Sequence, residues 1–182
     1  MMSSKLNVLP LVLMLFECSV LAATPLPDTT MRISMVVADI TCQLNNGQGL
    51  SQQIAMPLVS LAELQAGQGR SAEAPLIVNC AGSSTQPQSI LLSVQPAAGS
   101  SLMTDGSDGQ LKTSKTGVGL QLTWKYNGLP VSLAEGDTVF LPAMSQGGVW
   151  NLGIVAKTIA VVGETASSGE YTGALTLRLR YS

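Results

Sequence analysis

The strongest constraint on the fold of this chain is a two-residue alternation of apolar and polar side chains. Three stretches show it most clearly: residues 31–37, 120–126 and 175–181. In the second stretch, Leu120, Leu122 and Trp124 are separated by single polar residues. Because successive side chains of a strand point to opposite faces, this period predicts half-buried β-strands. Glycine, proline and short polar residues separate further apolar runs at roughly ten-residue intervals, which favours an all-β, immunoglobulin-like sandwich.

Turn and helix signals are consistent with this fold class. Asn127-Gly128 directly follows an alternating run and predicts a hairpin turn. The stretch 105–109, Asp-Gly-Ser-Asp-Gly, is compatible with a calcium loop, but it lacks a closing glutamate, so a solvated hairpin tip is the preferred interpretation. The one weak helical candidate is the segment 58–65.

Composition narrows the class of function. The chain is 46% hydrophobic and 11% charged, which predicts a packed domain and not a disordered one. A net charge of −2 offers no electrostatic footprint for nucleic acid. The sequence contains no histidine, which removes the commonest general base and the commonest zinc ligand. We therefore expect neither an enzyme nor a protein with a metal or other cofactor.

The first residues are typical of an export signal. Lys5 precedes an apolar run, Leu6 to Phe16, and Ala22 provides a small residue at a cleavage position, so residues 1–22 are predicted to be a signal peptide. The run is too short to anchor the protein in a bilayer, and no stable membrane insertion is expected. Cys18 raises the alternative of a lipoprotein, which Glu17 disfavours.

Two cysteines, Cys42 and Cys80, remain after removal of the predicted signal peptide. An even pair of cysteines in an exported protein predicts a disulfide. Such a bond contributes on the order of 4 kcal/mol in the chain-entropy model. The alternative is a pair of buried free thiols.

The chain resembles the subunits of chaperone–usher pili of the type 1 and P pilus kind in four features, which occur in the following order along the sequence. An alternating segment leads into Cys42, and Cys80 follows the apolar run 76–79. A glycine-containing strand start occupies residues 116–122. The chain ends in an alternating strand with Tyr181 as its penultimate residue and Gly169 fourteenth from the end. The resemblance covers essentially the whole chain beyond the signal peptide.

This resemblance implies an incomplete sandwich that lacks its final strand. In such subunits a periplasmic chaperone first fills the resulting groove, and at the outer-membrane usher a donor strand from a neighbouring subunit replaces it. The implied function is that of a structural subunit of an adhesive fimbrium, exported through the periplasm to the bacterial surface. The implied partners are the chaperone, the usher and neighbouring subunits.

The resemblance also implies roles for particular residues. Residues 23–41 correspond to the N-terminal extension and residues 42–182 to the pilin domain. The pocket residues of the donor strand are expected to be Met31, Ile33, Met35 and Val37. The groove and chaperone-contact residues are expected to be Gly169, Leu175, Leu177, Leu179 and Tyr181. Met35 stands where donor segments usually carry a glycine, which favours a minor subunit (a tip, adaptor or terminator) over a major shaft pilin.

A second hypothesis is a self-complete periplasmic β-sandwich that binds a small ligand or a carbohydrate. Exposed tryptophans would support it, because aromatic faces bind sugars. Trp124 is in phase with Leu120 and Leu122 and is expected in the core. For Trp150, which follows two glycines, a partly exposed loop position is left open.

Overall fold

A computed structural model describes most of the chain. Its described residues are 30–37, 42–48, 51–83, 86–104, 106–136, 138–141 and 145–182, with the backbone alone for 34–37. The predicted signal peptide, residues 1–22, lies outside these ranges. So do residues 23–29 and 38–41 of the predicted extension, and Asp105.

Within the described ranges the chain forms thirteen strands and one short α-helix, which confirms the all-β prediction. The first strands are β1 (Thr30–Val37), β2 (Gln43–Leu44), β3 (Gln52–Ala55), β4 (Ser71–Ala74), β5 (Ile77–Asn79) and β6 (Ile90–Pro96). They are followed by β7 (Ser101–Leu102), β8 (Gln110–Lys112), β9 (Val118–Trp124) and β10 (Thr138–Phe140). The last are β11 (Val149–Asn151), β12 (Ile154–Ala160) and β13 (Thr172–Tyr181). The helix α1 spans Leu61–Gln65, and a 3₁₀ turn spans Asn45–Gly47.

The strands form two five-stranded sheets and one three-stranded sheet. We call the sheet with the order β10-β6-β13-β1-β3 the groove sheet, and the sheet with the order β4-β12-β9-β8-β7 the opposite sheet. The third sheet has the order β11-β5-β2. Buried side chains from all three belong to one hydrophobic cluster. The molecule is therefore a sandwich around a single core, as the alternating pattern predicts.

The alternation decides which side chains enter this core. In β9, Leu120, Leu122 and Trp124 are buried, which confirms the core position predicted for Trp124. Tyr126 continues the same pattern but is 40% exposed, because β9 ends at Trp124 and the chain turns there. Tyr126 instead packs its ring edge-on against Phe140, with 5.6 Å between the ring centroids.

The predicted turn at Asn127-Gly128 is present. Gly128 has a φ of +72°, and the Asn127 side-chain oxygen accepts a hydrogen bond from the Leu129 N–H at 2.9 Å. The second arm forms only an isolated bridge between Thr123 and Pro130 and no continuous ladder. Proline has no N–H to donate, which limits pairing at this point.

The predicted disulfide is present between Cys42 and Cys80. Both cysteines are buried, and they flank the pairing of β2 with β5. The bond therefore fixes the chain just after β1 to the centre of the three-stranded sheet.

Trp150 is buried, whereas the sequence left open a partly exposed loop position for it. Its ring is 1% exposed, and its indole N–H donates a hydrogen bond to the carbonyl of Leu141 at 3.1 Å. Pairing of β11 with β5 turns the ring inward. With Trp124 also buried, neither tryptophan offers a platform for a sugar.

The helical candidate is confirmed in a shorter form, as α1. Ser60 caps the helix: its hydroxyl accepts a hydrogen bond from the Glu63 N–H, and the Glu63 carboxylate accepts one from the Ser60 N–H. This reciprocal capping box explains why the helix begins after Ser60 and not at residue 58. In the described part of the chain no helix has the length and apolarity needed to cross a bilayer.

Candidate functional site

The candidate site is a slot one strand wide between β13 and β3, and β1 lies in it. β1 runs parallel to β13, with Cα partners from Thr30 opposite Thr172 to Val37 opposite Leu179. It runs antiparallel to β3, from Thr30 opposite Ala55 to Ile33 opposite Gln52. Among the strands that the structure describes, β13 and β3 are held in one sheet only through β1.

The part of the slot beside Thr30 to Ile33 is deep and apolar. Met31 is 0% exposed and Ile33 is 4% exposed, whereas Arg32 between them is exposed. On β13, Leu175, Leu177 and Leu179 are all buried. The alternation expected of a strand inserted into an apolar groove is therefore observed at Met31, Arg32 and Ile33.

A glycine in β13 shapes the slot. Gly173 lies opposite Met31, and a Cβ added at Gly173 would come within 2.6 Å of a methyl carbon of Leu120 in the opposite sheet. The absence of a side chain lets Leu120 pack closely against β13.

A small void remains beneath β1. The cavity has a volume of about 10 Å³. It is lined by Ile33, Gln52, Ala74, Pro75, Leu76, Ile154 and Leu177. Its lining is mostly apolar and its volume is at or below the minimum for one water molecule, so we expect it to be dry. Ile33 therefore does not completely fill the space available to it.

Tyr181 lies at the far end of the slot. It pairs with Ile90 of β6, one alternating position beyond the last pair between β1 and β13. Its hydroxyl is buried and has no hydrogen-bond partner in the structure. Burial also raises the pKa of Tyr181 above its usual value, because the charged phenolate would lose its hydration.

The structure brings most of the predicted site residues together. All four predicted donor residues are in β1, and Leu175, Leu177, Leu179 and Tyr181 are in β13. The register aligns their backbones in the pairs Ile33–Leu175, Met35–Leu177 and Val37–Leu179. Gly169 is separate from this group, because it lies in an exposed loop three residues before β13 begins.

One feature differs from the sequence-based expectation. The sequence predicted that another molecule would supply the strand in the groove, whereas in this single chain β1 supplies it. The physical reason is that β1 has the apolar alternation that the slot requires, and it is covalently attached. A tethered strand has a high effective concentration at its own groove, even when a strand of another molecule fits equally well.

Other residues of the slot were missed in the sequence. Leu76 and Ile154 line the void beneath β1, and β3 forms the second wall. Each belongs to an apolar run, but nothing local to those runs indicates that they lie next to the N-terminal strand. The one local signal was Gly173, a glycine within an otherwise regular alternation.

One pocket in the described part of the chain bears on the alternative hypothesis of a small-ligand site. A pocket of about 330 Å³ beside the disulfide is lined by Gln43, Asn79, Ala81, Gly82 and Ser83. None of these described lining residues is aromatic or charged, whereas ligand pockets usually combine apolar surface with a few convergent polar groups.

Residues 106–109 of the acidic stretch lie between β7 and β8, as a hairpin tip does. There the Asp108 carboxylate accepts a hydrogen bond from the Gln110 N–H. The described residues contain no cluster of three or more metal-ligating side chains.

Comparison with known proteins points to one family. A family model described as "Fimbrial protein" matches residues 31–182. The chain is similar to the crystal structure of the P pilus rod subunit PapA, with a TM-score of 0.53 and 15% sequence identity. The match covers 79% of this chain and 100% of the PapA chain. It is also similar to the structure of a chaperone–usher pilus that is described in connection with rod uncoiling, with a TM-score of 0.56 and 18% identity. That match covers 81% of this chain and 91% of the pilus chain.

At these identities the two structures support the fold alone. No curated protein matches the chain.

Proposed function

Because the chain belongs to the fimbrial protein family, we propose that it enters a surface pilus by strand addition at the slot between β13 and β3. Membership of this family makes it a pilus subunit, a structural protein and not an enzyme, exported through the periplasm to a surface fimbrium. The proposal concerns the mechanism: a strand from another molecule occupies the position that β1 holds in the isolated chain. It also includes adhesion as the role of the assembled fibre.

The observation that carries the proposal is the fit of β1 in the slot. All eight residues of β1 have a ladder partner in β13. Complete burial of an apolar side chain such as Met31 or Ile33 contributes about 1.5–3 kcal/mol. An inserted strand with this alternation therefore gains several kcal/mol from side chains, in addition to its backbone hydrogen bonds. The arrangement is the one by which extended peptides bind at sheet edges.

An empty slot would be hazardous to the protein, which supports a role for a chaperone. Without β1, the inner face of β13 with Leu175, Leu177 and Leu179 would be exposed, together with unpaired backbone groups on β13 and β3. Exposed apolar strand edges promote aggregation. We therefore include in the proposal a periplasmic chaperone that supplies a strand before assembly. An outer-membrane usher would be the place where a neighbouring subunit replaces that strand.

The experiment that tests the mechanism removes β1 and restores a strand in trans. A chain lacking residues 30–37 is produced in the periplasm, purified under denaturing conditions and refolded with or without a synthetic peptide of residues 24–41. We expect a soluble, cooperatively unfolding product only when the peptide is present. A shortened chain that folds as a stable monomer without any added strand would refute the proposal.

The matched controls use the alternation of β1. In one peptide Ile33→Asp places a charge at a buried position, and in another Arg32→Asp changes a neighbouring exposed position. The first substitution should abolish rescue, because a buried unpaired carboxylate costs far more than the slot gains. The second should leave rescue almost unchanged. Equal rescue by both peptides would show that the strand does not insert as proposed.

A further inference from the structure

The outer face of the groove sheet, which is turned away from the core, carries an excess of positive charge. Three of the four arginines of the chain lie in its strands, Arg32 in β1 and Arg178 and Arg180 in β13. The same five strands contain no aspartate, glutamate or lysine. We propose that this face binds an anionic linear polysaccharide, whose carboxylate or sulfate groups the arginines hold. The inference rests on the proposed adhesion, for which it names a ligand class, and it does not depend on strand addition.

The alternation of the strands directs the three arginines away from the core. Arg178 and Arg180 alternate with the buried Leu177 and Leu179 of β13, and Arg32 lies between two buried residues of β1. The three arginines are themselves exposed. Because successive side chains of a strand point to opposite faces, all three belong to the outer face of the sheet.

The arginines are arranged in a line along the strands. Arg178 and Arg180 are two residues apart in β13, which is about 7 Å in an extended strand. Arg32 is the Cα partner of Ala174, four residues before Arg178, so it lies about 13 Å further along, on the adjacent strand. The line therefore extends over about 20 Å. A ligand that repeats its anionic groups along an extended chain can contact all three.

Two of these arginines are available to a ligand. Arg32 and Arg178 have no acidic partner among the described residues. On the side of the opposite sheet, by contrast, Lys112 and Lys125 each form an ion pair with a glutamate, and Lys157 donates a hydrogen bond to a backbone carbonyl. A guanidinium group donates two parallel hydrogen bonds to an anion that has several oxygen atoms. The groove sheet therefore offers the donors that a carboxylate or sulfate group requires.

Uncharged polar side chains lie beside the arginines. Gln53 of β3 is opposite Arg32, and Gln95 of β6 is opposite Thr176, which is two residues from Arg178. Gln53 is exposed, and Gln95 and Thr176 are half-buried. Amide and hydroxyl groups both donate and accept hydrogen bonds. They can therefore bind the hydroxyl groups of a sugar while the arginines bind its anionic groups.

The same face is less suited to nucleic acid or to a membrane. The aromatic residues in the strands of the groove sheet are Phe140, which is fully buried, and Tyr181, whose hydroxyl is buried. Neither ring lies on the outer face, where it could stack on the bases of a single strand. Binding in a membrane surface requires an apolar face next to the cations. The Cα partners of Arg32 are instead Gln53, which is polar, and Ala174, which is small.

The test measures binding of the full chain, purified from the periplasm, to three immobilised polysaccharides. Heparin is sulfated, alginate is carboxylated and dextran is neutral. We expect binding to heparin, to alginate or to both, with loss of binding in about 1 M salt, where exposed charges are screened. The polymer that binds identifies the anionic group. Absence of binding to both anionic polymers, or equally strong binding to dextran, would overturn the inference.

Matched double variants show which face binds. Arg32→Gln with Arg178→Gln removes two cations from the groove sheet, and Lys125→Gln with Lys157→Gln removes the same charge from the side of the opposite sheet. An exposed ion pair changes affinity by up to about fivefold, so the arginine variant should bind on the order of tenfold more weakly. The lysine variant should bind almost as well as the unsubstituted chain. Equal losses would mean that net charge alone attracts the polymer, and the proposed face would be wrong.

Competition tests the ligand class. A single-stranded oligonucleotide and vesicles of phosphatidylglycerol are added to the chain while it is bound to the anionic polysaccharide. Displacement by either one at a lower concentration of negative charge than soluble heparin or alginate requires would show that the polysaccharide is not the preferred ligand. Displacement by the soluble polysaccharide at the lowest concentration supports the inference. Urea denaturation of both double variants confirms that they are folded when they are compared.

The outcomes separate this inference from the proposed strand addition, because binding is measured on the full chain and rescue on the chain lacking residues 30–37. If the 24–41 peptide rescues the shortened chain but the full chain binds neither anionic polysaccharide, strand addition holds and the polysaccharide face is wrong. If the full chain binds heparin through its arginines but the shortened chain folds without an added strand, the polysaccharide face holds and strand addition is wrong.

Discussion

The two large sheets of this sandwich are completed in different ways. In the opposite sheet every neighbouring pair of strands is antiparallel, and β7, β8 and β9 follow one another in sequence. In the groove sheet the position between β13 and β3 is held by β1, which is parallel to β13, a strand from the other end of the chain. One sheet is therefore built from permanent neighbours. The other depends on a strand that, in the proposed mechanism, is replaced by a strand of another molecule.

The charged groups show the same contrast. The ion pairs Lys112–Glu164 and Lys125–Glu73 connect strands or loops of the opposite sheet. The described residues of the groove sheet contribute no ion pair between two of its own strands. β1 is held by its backbone pairing with β13 and β3 and by the burial of its apolar side chains Met31 and Ile33. This suits a site in which one strand replaces another, because contacts of this kind do not require a specific charged partner.

The largest expected effect comes from the disulfide, which fixes the chain where it leaves β1. Replacing both Cys42 and Cys80 by alanine should lower the free energy of unfolding by about 4 kcal/mol, because the unfolded chain is no longer constrained. Urea denaturation measures the loss. Reduced unsubstituted protein is the matched control, since it retains both sulfur atoms and loses only the bond.

Hydrogen exchange then shows where the loss occurs. Because all sheets share one core, protection should fall together in β9 and β13 when the disulfide is removed. Protection that persists in the opposite sheet alone would mean that the two sheets unfold independently, contrary to the single-core description.

A matched pair of leucines separates stability from strand binding. Leu122 in the opposite sheet and Leu177 in the groove sheet are both fully buried. Replacement by alanine should cost about 2–5 kcal/mol of unfolding free energy at either position, because each change leaves a cavity in the core. Only Leu177→Ala should also weaken binding of the 24–41 peptide to the chain lacking residues 30–37. An equal loss of peptide affinity for Leu122→Ala would contradict the assignment of Leu177 to the slot.

Much of the groove sheet could be predicted from sequence because its strands carry a local signal. The alternation of Leu175, Leu177 and Leu179 identifies an inward face without any knowledge of neighbours. The same is true of Met31 and Ile33. The disulfide followed from the presence of two cysteines in an exported chain.

Strand neighbours could not be predicted in this way, because pairing between distant segments leaves no local signal. Nothing near β3 indicates that it borders β1, and nothing near Trp150 indicates that pairing of β11 with β5 buries its ring. The start of α1 was predictable in principle. Ser60 and Glu63 form a capping box that can be seen in the sequence, and it marks the helix start, which lies three residues after the start of the predicted candidate 58–65.

A smaller effect is expected at α1, which packs beside β12 of the opposite sheet. Ser60→Ala removes the capping hydroxyl and should cost about 1 kcal/mol of unfolding free energy. The change should leave peptide binding at the slot unaltered, because β1 pairs with β13 and β3 and no described residue of α1 lines the void beneath it. Reduced peptide affinity would show that the two sheets are more strongly coupled than their contacts indicate.

The same capping box predicts that the free energy of unfolding depends on pH. The Ser60 N–H, with further help from Arg70 and the Ser60 hydroxyl, lowers the pKa of Glu63 from 4.5 to about 2. The folded state thus favours the charged carboxylate, so its stabilising contribution is present above pH 4.5 and is lost as the pH falls through about 2. The stability difference between the unsubstituted chain and Glu63→Gln should shrink over this range. A difference that stays constant with pH would exclude the charge as its cause.

The smallest expected effect compares single charges on the outer faces of the two sheets. Lys125→Met breaks the pair with Glu73, both of whose side chains are largely exposed, so it should cost at most about 1 kcal/mol. Arg178→Met on β13 removes an exposed arginine for which the structure shows no ion pair, and we expect no measurable change. The loss at Lys125 should also disappear in about 1 M salt, where charges on the surface are screened. Since neither side chain faces the slot, both variants should accept the 24–41 peptide normally after deletion of residues 30–37. If Arg178→Met instead lowered the free energy of unfolding in a salt-dependent way, the groove sheet would contain an electrostatic contact at Arg178. Charge as well as apolar contact would then contribute to holding the strand in the slot.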